Sequence, residues 1–195
     1  MKPFSGILLR LLPLIVFSLA VYFGAQYFST EKDAVSPPEV QQVLQSIGKE
    51  TPDFSLHAAT DKTGAPFVLS SLKGKAILVN FWATWCAPCV RELPGLLAVA
   101  RKYRDSGLRI VAISVDKDWD AVERFFTRYP QLAAAKTEFT VVLDRDASVA
   151  TKYGATQFPE SFLINRDFIL DLRLSGEQAW QDPRLEVYYD RILRK

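Results

Sequence analysis

A long, predominantly apolar stretch without a charged residue lies near the N-terminus. Leu11 to Phe28 is eighteen residues long, and a helix of that length spans about 27 Å, close to the ~30 Å hydrocarbon thickness of a bilayer. Lys2 and Arg10 precede this stretch and acidic residues follow it, so the remainder of the chain is predicted to lie outside the cytoplasm. Residues 1–28 are therefore predicted to form an uncleaved transmembrane anchor. The alternative is a cleaved signal peptide, with small residues at Ser18-Leu19-Ala20.

The next segment, residues 29–50, is more polar and contains the helix breaker Pro37-Pro38. Between Glu39 and Ile47, apolar residues recur at helical spacing. We interpret this segment as a tether with a short amphipathic helix. A tethered domain meets partners at the membrane surface at a high effective concentration.

From residue 51 onward, strand patterns and helix patterns alternate. Ala76 to Ala83 is a near-continuous apolar run typical of a buried central strand, and Ala87 to Ser106 carries apolar residues at helical spacing. A short hairpin of Asp53–Ala58 with Pro66–Leu69 is predicted before that strand. The remaining predicted elements are strands at Leu108–Val115, Phe139–Leu143, Ser161–Ile164 and Ile169–Leu174 and helices at Asp118–Tyr129, Ala147–Tyr153 and Asp182–Leu193. Residues 51–195 are thus predicted to form one α/β domain with a central mixed sheet flanked by helices on both faces.

Composition and charge restrict the function further. The chain has 195 residues, is 49% hydrophobic and carries a formal charge of +2. Its basic residues are scattered among acidic ones rather than gathered in a stripe, so no nucleic-acid partner is predicted.

The two cysteines of the chain stand together in Trp85-Cys86-Ala87-Pro88-Cys89, directly after the predicted central strand. A structural zinc site needs four ligands, and the chain adds only one histidine, His57. A disulfide across so short a loop removes little entropy from the unfolded chain, so a purely structural role is disfavoured. The pattern therefore favours a redox-active dithiol, and neither a metal nor another cofactor is predicted.

Three motifs carry a resemblance to a known family. They are Phe81-Trp82-Ala83-Thr84-Trp85-Cys86-Ala87-Pro88-Cys89, the opening Pro52-Asp53-Phe54-Ser55-Leu56, and Phe158-Pro159-Glu160-Ser161-Phe162-Leu163-Ile164. From about Thr51 to its C-terminus, the chain resembles the thioredoxin superfamily, specifically the membrane-anchored TlpA/ResA/CcmG-type thiol-disulfide oxidoreductases. The resemblance implies a thioredoxin-like fold with Pro159 in the cis form.

Helix chemistry suggests different roles for the two cysteines. Cys86 is predicted at the start of the helix, where free amide groups and the helix dipole stabilise a thiolate by up to ~2 kcal/mol. We therefore expect Cys86 to attack the target disulfide. Cys89, one turn inward, would attack the resulting mixed disulfide and release the reduced target. Pro88 suits the first helical turn, and Ala87 and Pro88 are expected to tune the redox potential.

Substrate contacts are predicted on both sides of the cysteines. Trp85 is expected to flank and shield Cys86, an assignment implied by the resemblance. A cis bond at Pro159 would expose the backbone of Phe158 for strand-like pairing with an incoming peptide.

Glu92 is the candidate proton acceptor for Cys89. It lies three residues after Cys89, on the same helix face. Thioredoxin itself has a buried aspartate on the preceding strand, where this chain has Asn80, and the resemblance associates a glutamate at position 92 with tuning of the cysteines. The alternative is an exposed acid favoured by the helix dipole.

The direction of electron flow and the partners come from the predicted location. In an oxidising compartment a reductase needs a membrane donor of electrons. The charges around the apolar segment predict a single-pass protein of the bacterial inner membrane with its domain in the periplasm. The resemblance implies that a transmembrane thiol donor of the DsbD or CcdA type supplies its electrons. Its expected substrates are disulfides of exported proteins, for example apocytochrome c during cytochrome c maturation.

Three alternatives share parts of this pattern. An oxidase that donates disulfides uses the same fold, and its redox potential would lie near about −120 mV. A non-catalytic copper-binding assembly factor for cytochrome oxidase would need a histidine partner, for which His57 is the candidate. A peroxiredoxin shares the Pro-Asp-Phe opening, but its peroxidatic cysteine does not stand in a Trp-Cys-x-x-Cys motif.

Overall fold

The computed structural model describes residues 18–19, 47–59 and 65–194. The predicted anchor and tether fall almost entirely outside these ranges. Within them, no helix has both the length and the apolar character that crossing a bilayer requires.

The domain contains seven strands and five α-helices within the described residues. The strands are β1 (Ser55–Leu56), β2 (Phe67–Val68), β3 (Ala76–Trp82), β4 (Leu108–Ser114), β5 (Thr140–Leu143), β6 (Glu160–Ile164) and β7 (Leu170–Ser175). The helices are α1 (Ala87–Tyr103), α2 (Trp119–Arg128), α3 (Ala135–Glu138), α4 (Ser148–Tyr153) and α5 (Pro183–Arg194). Two short 3₁₀ helices, Leu69–Leu72 and Pro130–Leu132, complete the set.

The central sheet is mixed, as predicted. Its five strands have the order β5-β4-β3-β6-β7. Strand β3 pairs in parallel with β4 and antiparallel with β6, while β4 pairs in parallel with β5 and β6 antiparallel with β7. The predicted N-terminal hairpin is a separate antiparallel pair of β1 and β2.

Several predicted elements are longer or shorter than observed, and one helix was missed. Strands β1 and β2 have two residues each. Strand β2 ends at Val68 because Leu69 begins a 3₁₀ helix. Helix α1 ends at Tyr103 rather than Ser106. The four-residue helix α3 has no counterpart among the predictions, since one turn is too short to show a helical period.

The alternation of side chains along β3 divides the core into two clusters, one on each face of the sheet. Ala76, Leu78 and Trp82 belong to the cluster under α1, α2 and α5. Ile77, Val79 and Phe81 belong to the opposite cluster, under α4. Asn80 therefore points to the α1 face as a polar residue within an apolar layer, which places it beside the first turns of that helix.

Candidate active site

The two cysteines lie at the junction of β3 and α1, in a segment that we call the cysteine turn (residues 83–89). Cys86 is the N-cap of α1 and forms a disulfide with Cys89. The Cys86 Sγ accepts a hydrogen bond from the Cys89 backbone N–H at 3.3 Å. Cys86 therefore lies at the start of the helix, as the sequence predicts. The Cys89 amide group would stabilise a Cys86 thiolate once the disulfide is reduced.

Both sulfur-bearing residues are buried in this oxidised form, while their aromatic neighbour is exposed. Cys86 and Cys89 are 6% and 1% exposed, and Trp85 is 68% exposed. Ala87 and Pro88 occupy the first turn of α1, as expected for residues that separate the two cysteines. Trp85 therefore presents a large apolar ring to solvent beside Cys86.

A buried aspartate that was not predicted from the sequence forms hydrogen bonds with the cysteine turn. Asp116 follows β4 and accepts hydrogen bonds from the Thr84 backbone N–H at 3.0 Å and from the Thr84 hydroxyl at 2.7 Å. The Ser114 hydroxyl donates to the same carboxylate at 2.7 Å. The carboxyl ends of the parallel strands β3 and β4 meet at one edge of the sheet, so an acidic residue directly after a buried strand was the available signal.

The predicted cis-proline is confirmed, and its loop borders the cysteine turn. The Phe158–Pro159 peptide bond is cis. The Phe158 ring meets the Trp85 ring edge to face, with centroids 6.2 Å apart. The structure therefore brings together Trp85, Phe158 and Pro159, the three residues predicted to bind substrate.

Glu92 is buried inside the domain rather than exposed on α1. It is 4% exposed. Its Oε1 accepts from Asn80 Nδ2 at 2.9 Å and its Oε2 from the Gln178 backbone N–H at 2.9 Å. The alternative of an exposed acid at the start of the helix is therefore wrong.

The surroundings of Glu92 form a cluster that we call the acid pocket: Asn80, Glu92, Ser161, Gln178 and Trp180. Asn80 and Ser161 are register partners on β3 and β6, and Asn80 Nδ2 also donates to the Ser161 hydroxyl at 2.9 Å. Trp180 is 1% exposed, and its indole Nε1 is buried without a hydrogen bond of ordinary geometry. The pocket thus joins a helix, two strands and the segment before α5.

Burial is the dominant influence on the Glu92 carboxyl group and raises its pKa to about 7. The Gln178 amide, Asn80 and the Trp180 indole lower the pKa, whereas the nearby negative charge of Glu177 raises it. A carboxyl group with this pKa exchanges a proton near neutral pH, which is the property required of a proton acceptor for a thiol.

Metal-ligating side chains do not cluster in the described ranges. No group of three or more histidine, cysteine, aspartate or glutamate side chains there could hold a metal ion.

Comparisons with known proteins place this geometry in a family. Residues 47–173 match the AhpC/TSA family. The thiol-disulfide oxidoreductase ResA of Bacillus cereus is 33% identical over 190 residues, which cover 96% of this chain and 97% of that protein. ResA of Bacillus subtilis is 38% identical over 120 residues, 62% of each chain.

A solved structure shares the fold. The crystal structure described as a thiol:disulfide interchange protein, DsbE, from Chlorobium tepidum matches with a TM-score of 0.66 and 29% sequence identity. The match covers 75% of this chain and 97% of that chain. The predicted thioredoxin-like fold is confirmed.

Proposed function

We propose that this protein reduces selected disulfides in exported proteins such as apocytochrome c. The chain belongs to the AhpC/TSA family and is a thiol-disulfide oxidoreductase of the ResA and DsbE type. The observation that carries this proposal is the Cys86–Cys89 disulfide at the N-cap of α1, beside the cis Phe158–Pro159 bond. The helix start supplies a means of stabilising a thiolate. The neighbouring loop supplies a surface for a polypeptide substrate.

The reaction begins from the reduced dithiol. The Cys86 thiolate attacks one sulfur of the target disulfide, forms a mixed disulfide and displaces the other target sulfur as a thiolate, which takes up a proton. The Cys89 thiolate then attacks the Cys86 sulfur, closes the disulfide seen here and expels the second target sulfur. Two electrons pass from the protein to the target.

Glu92 is the proposed acceptor of the Cys89 proton. Cys89 and Glu92 are three residues apart on one face of α1, and both are buried. A buried thiol ionises reluctantly, and the raised pKa of Glu92 gives its carboxylate the basicity to take the proton near neutral pH.

The cellular setting follows from the sequence predictions. Residues 1–28 anchor the protein in the bacterial inner membrane as a single span, and the domain faces the periplasm or its equivalent. The dithiol is regenerated there by a transmembrane thiol donor of the DsbD or CcdA type, because an oxidising compartment does not itself supply electrons.

A trapping experiment tests the proposal. Cys89→Ser retains the attacking sulfur and lacks the one that releases the target, so it should accumulate a mixed disulfide with its natural substrate through Cys86. Mass spectrometry of the adduct identifies the partner. The double variant Cys86→Ser, Cys89→Ser is the control and should capture nothing.

Two results would contradict the reductase assignment. One is the absence of any adduct through Cys86. The other is a redox potential near about −120 mV, the value of a strong disulfide donor.

A further inference from the structure

A buried carboxylate follows the cis-proline directly. Glu160 is the first residue of β6 and is 2% exposed. Its Oε1 accepts from Arg173 Nε at 2.6 Å and from the Ser175 hydroxyl at 2.7 Å. Both donors lie on β7, so the carboxylate joins the end of the substrate-binding loop to the neighbouring strand.

Arg173, which donates to Glu160, also forms a hydrogen bond at the other end of the same loop. Arg173 Nη2 donates to the Gly154 carbonyl oxygen at 2.7 Å, and Gly154 is the C-cap of α4. The side chain of Arg173 is 9% exposed. One guanidinium group thus connects Gly154 and Glu160, the residues on either side of the loop 155–159 that contains Phe158 and Pro159.

Two further contacts restrict where the loop can lie. The Gly176 backbone N–H donates to the Pro159 carbonyl oxygen at 2.9 Å. The Arg173 guanidinium lies over the Phe162 ring, 5.4 Å from its centroid. The guanidinium is therefore fixed by packing as well as by hydrogen bonds.

Stability alone is a weak reason to have this ion pair. Removing two charges from water costs free energy that their attraction does not reliably offset, and apolar pairs of similar volume often serve as well. Glu160 Oε2 is also buried without a hydrogen-bond partner. A planar, two-pronged donor does, however, fix the relative position of two backbone segments, which an apolar pair does not do.

We infer that Arg173 and Glu160 are positioning residues for the substrate-binding loop and set where Phe158 and Pro159 stand relative to Cys86. The inference rests on the proposed function, since it concerns the binding of a polypeptide disulfide. Small disulfides react at the cysteine sulfur without needing this loop. The pair therefore acts on polypeptide substrates selectively.

The test compares two probes in single-turnover oxidation of the pre-reduced protein. One probe is a peptide with an intramolecular Cys-x-x-Cys-His disulfide, and the other is hydroxyethyl disulfide. Arg173→Lys keeps the charge but loses the fork that reaches both Glu160 and Gly154. We expect the half-saturating peptide concentration to rise about tenfold or more, because misplacement by about 1 Å can cost up to about 100-fold. The limiting rate and the hydroxyethyl disulfide rate should stay unchanged.

Two matched variants complete the design. Glu160→Gln keeps an oxygen that accepts from Arg173 and Ser175, so it should behave much more like the parent protein. Arg191→Lys alters the ion pair between Arg191 on α5 and Asp171, which lies on β7 as Arg173 does, and does not involve the loop. It should leave the reactions with both probes unchanged. Because an unfolded fraction lowers both rates equally and does not change the half-saturating peptide concentration, this readout is insensitive to lost stability.

The positioning role would be overturned if Arg173→Lys left the half-saturating peptide concentration unchanged, or if it slowed the reactions with the peptide and with hydroxyethyl disulfide equally. A parent protein that reduces hydroxyethyl disulfide but not the peptide would contradict the proposed function, and the positioning role would fall with it.

Discussion

The cysteine turn and the acid pocket lie at the same end of α1 but are built in opposite ways. The cysteine turn is contiguous in sequence, and its exposed Trp85 meets solvent. The acid pocket is buried and gathers its members from distant segments, since Gln178 is 86 residues from Glu92 and Ser161 is 81 residues from Asn80. A reactive sulfur needs only the start of a helix, whereas raising the pKa of a carboxyl group needs a desolvated site enclosed by several elements.

The largest expected effect on the pH dependence of stability comes from the acid pocket, through Glu92→Gln. In the folded oxidised protein the pKa of Glu92 is raised to about 7 from its ordinary value of 4.5. Between these values the unfolded chain ionises while the folded one keeps its proton, so stability falls as pH rises, by about 3 kcal/mol in total. The variant should lack this decrease when unfolding by denaturant is measured from pH 4.5 to pH 8.

The same substitution should also change the chemistry. Without a proton acceptor for Cys89, disulfide exchange should slow and lose its dependence on an ionisation near pH 7. Glu186→Gln, which removes a more exposed carboxylate on α5, is the control and should keep the parent pH dependence. If Glu92→Gln also kept the parent pH dependence, Glu92 would have no more influence on disulfide exchange than an exposed carboxylate.

A smaller effect is expected at the support of the cysteine turn. Asp116→Ala removes the acceptor for both donors of Thr84 and for the Ser114 hydroxyl. Because the stranded donors are buried or partly buried, we expect unfolding free energy to fall by about 2 kcal/mol and disulfide exchange to slow.

Asp116→Asn should recover most of both losses, since the amide oxygen accepts and the hydroxyl groups can rotate. Unchanged stability and exchange in Asp116→Ala would mean that the cysteine turn holds its conformation by local contacts alone.

This comparison also explains which parts of the site the sequence predicts. The cysteine spacing, Pro88 in the first helical turn and the cis-proline motif are local patterns, and each is observed where it was predicted. The order of strands and helices also follows from hydrophobic periodicity, which reports burial along short stretches. Local patterns of this kind are sufficient to identify Cys86 and Pro159 as candidate positions from the amino-acid sequence.

The missed contacts depend on long-range geometry. Gln178 reaches Glu92 through a backbone amide, a group that every residue except proline carries, so its side chain gives no signal. Arg173 is an ordinary charged residue in sequence and gains its role only from strand register and burial. The position of Asp116 after a buried strand is a signal, but it does not identify Thr84 as the partner. Glu92 was identified as a candidate, but its burial depends on the segment that closes over α1 before α5.

The smallest effect on stability is expected at the exposed edge of the cysteine turn. Trp85 is 68% exposed, and its ring packs edge to face against the ring of Phe158. Trp85→Ala should therefore change the free energy of unfolding by less than about 1 kcal/mol. Trp180→Ala is the matched control in the acid pocket and should cost about 3 to 5 kcal/mol, because it leaves a cavity in the core.

Although Trp85→Ala should have little effect on stability, it should affect disulfide exchange, and the effect should depend on the substrate. Loss of the Trp85 ring removes apolar surface beside Cys86, so reduction of a peptide disulfide should weaken several-fold while reduction of hydroxyethyl disulfide persists. A Trp85→Ala protein that loses as much stability as Trp180→Ala would show that Trp85 serves the core. The cysteine turn would then not be a solvent-facing surface for substrate, and it would not differ in this respect from the buried acid pocket.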